Sequence, residues 1–64
     1  MKTMNHAECQ KRMKKLPMAS LQFILKDATE AAEAAEALGS PNAGYYRDEA
    51  HYAGMEITKR QKQA

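Results

Sequence analysis

The sequence predicts an all-α fold, an antiparallel helical hairpin preceded by a short basic segment and expected to dimerise into a helical bundle. Three observations carry this expectation. Apolar residues recur three and four apart at Leu21, Ile24, Leu25, Ala28, Ala31, Ala32, Ala35 and Leu38, with Lys26, Asp27, Glu30, Glu33 and Glu36 around them. That is the pattern of a helix with one side against a partner surface. Gly39, Ser40, Pro41 and Asn42 follow, a cluster that closes one element and opens another. A second stripe of Tyr46, Ala50, Ala53 and Ile57 then resumes helical spacing, with Tyr45 and Tyr52 at its margin.

Residues 1–16 form the first unit, either a basic arm or a short helix. Lys2, Lys11, Arg12, Lys14 and Lys15 stand there against the single acid Glu8. Asn5 followed by Glu8 has the form of a capping box, which suits a helix from about His6 to Lys15. Its apolar positions, Met4, Ala7, Met13 and Leu16, make only a thin stripe. Pro17 then pushes Leu16 out of helical geometry and is itself suited to open a helix.

Residues 17–64 form the hairpin. Its first helix is expected over about 17–38, because EAAEAAEAL is built from the strongest helix formers and a chain this short cannot impose helix by packing alone. Gly39 can adopt the left-handed conformation that ends it. The second helix is expected over about 42–61, starting at Pro41 behind a Ser40 cap or nearer Ala43. The short loop makes the two helices antiparallel neighbours, with Leu38 and Ala35 near Tyr46 and with Ala31 facing Ala50 at the closest approach. Gly54 would belong to the small series that permits this approach.

Size then limits what the chain can do. A chain of 64 residues buries one modest core, worth roughly 3–5 kcal/mol. The single cysteine, Cys9, excludes an internal disulfide and leaves self-association as the supplement. Leu21, Phe23, Leu25, Tyr52 and Met55 are also too many for one hairpin to cover, so some of that surface is expected to be exposed or covered by the N-terminal segment or another copy, and a homodimer is expected. No run approaches the roughly 18 apolar residues that span a bilayer, so no membrane association is expected and the location expected is cytoplasmic.

The residues that could carry chemistry point to binding. Asp48 and His51 share a helical face while Glu49 lies with Tyr45 and Tyr52, so no pocket gathers them and no catalytic residue is nominated. His6, Cys9 and His51 fall short of the matched pairs of a structural zinc site, so neither a metal nor a cofactor is expected. Tyr45, Tyr46, Tyr52, Met55 and Phe23 are the expected protein-binding residues, since aromatic rings give large contact area at little entropic cost. Lys11, Arg12, Lys14, Lys15, Lys59, Arg60 and Lys62 collect at the end of the hairpin away from Glu30, Glu33 and Glu36. That basic pole is the ground for the alternative, a nucleic-acid-binding accessory protein. No aromatic residue is interleaved with it as a stacking platform.

The segments MKKLPMASLQFILKD (Met13 to Asp27) and AGYYRDEAHYAGMEITKR (Ala43 to Arg60) resemble short uncharacterised helical proteins encoded by tailed bacteriophages. The resemblance covers about three quarters of the chain, from Met13 to Arg60. It implies that similar chains begin at Met13, with residues 1–12 an extension, and that the protein binds and inhibits or modulates a host protein in the host cytoplasm. A structural role in a larger assembly is a further alternative.

Overall fold

The computed structural model describes residues 5–63. Among them are three α-helices and no strand, namely α1 (His6–Lys15), α2 (Met18–Ala37) and α3 (Ala43–Gln63). Met4, expected on the stripe of α1, and Lys2, counted among the N-terminal cations, lie outside the described residues.

Helix α1 starts where Asn5 and Glu8 place it. Asn5 is extended (φ −87°, ψ 100°), and its Oδ1 accepts from the Glu8 N–H at 3.1 Å, satisfying one of the amides that a helix start leaves without a partner. Leu16 is extended (φ −86°, ψ 146°), as the residue before a proline should be. Pro17 keeps an extended ψ of 158° and precedes α2 instead of opening it.

At its far end α2 closes on Gly39 (φ 69°), the conformation a side chain would strain. The Ser40 N–H donates to the Ala35 oxygen at 2.7 Å and the Gly39 N–H to the Glu36 oxygen at 3.1 Å, the paired bonds of a Schellman closure. Ser40 Oγ then accepts from the Asn42 N–H at 3.2 Å. Its hydroxyl therefore bends the loop, and α3 starts at Ala43.

Helix α3 packs along α2 and, less extensively, against α1. Glu36 near the end of α2 pairs with Arg47 in the second turn of α3, while Leu25 lies level with Gly54. The result measures 39 × 20 × 15 Å. Its best buried cluster joins all three helices: Cys9 and Met13 from α1, Leu21 from α2 and Ala53 from α3, with Leu16, Ile24, Leu25, Tyr52 and Ile57 packed around it. Met13 and Leu21 are the largest side chains fully withdrawn from water.

Several sequence expectations change here. The buried alanines are Ala28, Ala32, Ala35 and Ala53, whereas Ala31 and Ala50 are only half-buried. The buried residues of α2 all lie on the expected stripe, but its most deeply buried alanines are Ala28 and Ala32, with Ala31 and Ala50 at the margin. Leu38 is 85% exposed, because α2 ends at Ala37 and seventeen residues beyond Leu21 the helical turn has carried position 38 off the stripe. Cys9, which the sequence offered only as a lone thiol, is 4% exposed and part of the core. A Cβ on Gly54 would stand 3.8 Å from Leu25 Cδ1, an ordinary contact, so the approach of the helices does not depend on that glycine. Finally, Leu21 is buried while Leu25 and Tyr52 are half-buried. Helix α1, the N-terminal segment that was one of the two covers expected, packs Cys9 and Met13 into the cluster with Leu21.

Candidate partner-binding surface

The expected binding residues separate into distinct places. Phe23 lies two positions, roughly 200° of helical turn, beyond buried Leu21, and Met55 stands in the same relation to buried Ala53. Since Leu21 and Ala53 share one core cluster, Phe23 faces outward from α2 and Met55 outward from α3. They are 69% and 49% exposed and cannot contribute to one continuous patch. Tyr45 and Tyr46 are half-buried in the first turn of α3 with their rings edge to face, centroids 5.7 Å apart.

Tyr52 is held more firmly. Its hydroxyl makes a 2.7 Å hydrogen bond with His6 Nδ1, and the two rings meet edge to face at 5.5 Å. The His51 ring also meets Tyr52 edge to face, centroids 5.4 Å apart. His6 was not expected in this role. The two residues are 46 positions apart, and only the docking of α1 on α3 brings them together.

The basic residues also divide. Arg12 Nη2 donates to Glu49 Oε2 at 3.1 Å. Arg60 Nε donates to Glu56 Oε2 at 2.9 Å, and its Nη2 donates to the backbone oxygens of Met13 and Lys14 at the end of α1. Both arginines of the expected pole are therefore spent inside the molecule. Lys11, Lys14, Lys15, Lys59 and Lys62 are exposed, and none takes part in an ion pair found among the described residues.

One feature unites residues from the two expected sets. An open groove of about 730 Å³ runs between α1 and α3, lined on the first by Gln10, Met13 and Lys14 and on the second by residues that include Tyr52, Met55, Lys59 and Lys62. The spacings explain the alignment: 10, 13 and 14 share a side of α1, and 52, 55, 59 and 62 rise along one side of α3. Tyr52 and Met55 thus sit beside Lys14, Lys59 and Lys62, while Phe23, Tyr45, Tyr46, Lys11 and Lys15 do not line the groove.

Chemistry of other kinds finds little footing. Among the described residues no three of His, Cys, Asp and Glu converge closely enough to hold a metal ion. Burial pushes the Cys9 thiol above its ordinary pKa, and nearby Arg12 offsets this only in part. A neutral, buried thiol is a poor nucleophile. No helix among the described residues is long and apolar enough to cross a membrane. No family model matches the chain, and neither a curated protein nor a solved structure matches it.

Proposed function

We propose that this protein is a non-enzymatic binding module that captures a protein through the groove between α1 and α3. The observation that carries the reading is the meeting of Tyr52 and exposed Met55 with three lysines along that groove. An apolar strip rimmed by charge is the usual composition of a protein-binding patch. On this reading α2 and α3 form an antiparallel hairpin, and α1 supplies the second wall of the groove. The resemblance of residues 13–27 and 43–60 to phage-encoded chains extends it: the protein is phage-encoded and modulates a host protein in the host cytoplasm. Self-association belongs to the same reading at another place, since Phe23 offers a second copy an apolar contact on the outer side of α2.

Affinity purification from cells expressing a tagged chain tests this, run beside a Met55→Glu variant. A protein recovered with the native chain and lost with the variant is the expected result. Recovery of nuclease-sensitive material alone would replace protein binding by nucleic-acid binding, the alternative favoured by the five lysines without an ion pair among the described residues.

A further inference from the structure

The groove's chemistry narrows the partner. Lys14 rises from one wall and Lys59 and Lys62 from the other, and the ammonium groups of all three lack a carboxylate within ion-pair distance among the described residues. Glu56 is the acid that lines the groove, and Arg60 already holds it at 2.9 Å. On the α3 wall Met55 stands half in water beside Tyr52, and on the α1 wall Met13 is withdrawn into the core. The groove is therefore an apolar strip under uncompensated positive charge.

Resting on the protein-binding reading, we propose that it receives an acidic amphipathic helix from the partner. Acidity follows from the lysine rim, because complementary charge sets specificity and approach rate. A helix follows from the walls. Both are α-helices whose backbone amides are bonded within themselves, so they offer no strand edge for an extended peptide, and the guest must satisfy its own backbone groups. The apolar face of the guest lies on Met55, whose flexible thioether adapts to varied side chains, beside the Tyr52 ring. A nucleic acid fits less well. Its phosphates would leave Met55 unburied, and the arginines that would fork onto phosphate are engaged with Glu49 and Glu56.

The test uses the full chain and two labelled peptides of about 18 residues, one with leucine at helical spacing and glutamate elsewhere, the other with lysine for each glutamate. Fluorescence anisotropy should show the acidic peptide binding at least about tenfold tighter, and its binding should weaken several-fold between about 50 and 300 mM salt. The double variant Lys59→Glu, Lys62→Glu should weaken it about tenfold or more, and Met55→Ser several-fold. Lys11→Glu with Lys15→Glu makes the same change of net charge away from the groove and should cost less than about threefold. Circular dichroism establishes that each variant is folded. Equal losses from the two double variants, indifference to Met55→Ser, or displacement of the peptide by a DNA duplex would each overturn the proposal. Should purification recover a protein through Met55 while the acidic peptide fails to bind, the partner chemistry alone is wrong. Should it recover none, the protein-binding reading fails with it.

Discussion

Arg60 fastens the end of α1 to α3: its Nη2 donates to the Met13 oxygen at 3.2 Å and to the Lys14 oxygen at 3.0 Å, while its Nε is held by Glu56. The last carbonyls of a helix have no partners within it, and a guanidinium there supplies two donors and a favourable charge at once. The clamp also fixes one end of the groove, since Met13 and Lys14 line its α1 wall. Arg60→Met should destabilise by about 1–3 kcal/mol, because it leaves those oxygens and Glu56 without this donor. Urea unfolding measures the loss, and faster amide exchange confined to residues 6–16 would place it in α1.

The depth of burial along α2 makes a second prediction. Ala32 and Ala53 are buried, so Ala32→Leu or Ala53→Leu should overpack the helix contact and cost about 1–3 kcal/mol. Ala31→Leu and Ala50→Leu, at half-buried positions, should cost less, and Ala34→Leu on the exposed side should be within about 0.5 kcal/mol of neutral. Urea midpoints across the five variants give the order directly, and an equal effect at Ala31 and Ala32 would mean that the face is misplaced.

The helix boundaries and the core show where the sequence was legible. The boundaries were, because local chemistry sets them: Asn5 caps over Glu8, Pro17 separates α1 from α2, and Gly39 takes the left-handed conformation. The buried stripe of α2 was legible too, since Leu21, Ala28, Ala32 and Ala35 all lie on its apolar spacing. Which alanine is most deeply buried was not, because alanine stands at 28, 31, 32, 34, 35 and 37 and neighbouring positions are equally small. The docking of α1 was hidden for a related reason. Met13 and Leu16 stood on a stripe too thin to predict docking and Cys9 was not counted on it, yet Cys9 and Met13 complete the core. The groove depends on that docking, so Tyr52, Met55 and the lysines could be named singly but not placed together.

Gly54 gives a prediction of opposite sign. A methyl group there would meet Leu25 Cδ1 at 3.8 Å and nothing tighter, and glycine inside a helix costs about 0.8–1 kcal/mol relative to alanine. Gly54→Ala should therefore stabilise by up to about that amount, read as a raised melting temperature. Gly39→Ala should instead destabilise by about 1 kcal/mol, because its φ of 69° strains any Cβ although the space around it is open.

The last prediction concerns Cys9. Burial is the main cause that holds its thiol pKa up, with Glu49 and Asp48 adding to it and Arg12 opposing. An acid whose pKa is higher folded than unfolded gives up its proton more readily in the unfolded chain. The associated stability is thus fully present below the unfolded thiol pKa of about 8.5 and is lost as pH rises toward the folded value. Urea midpoints of the native chain and of Cys9→Ala, measured at pH 7, 9 and 10, isolate the effect, because every other titrating group is common to both. The native advantage should shrink as pH rises, and an advantage that grew would show that Arg12, not burial, governs the thiol. The same burial should make Cys9 slow to react with a thiol reagent at neutral pH. Arg60→Met, by loosening the end of α1, should speed that labelling, whereas Lys15→Met, in the same turn but without a part in the clamp, should leave it unchanged.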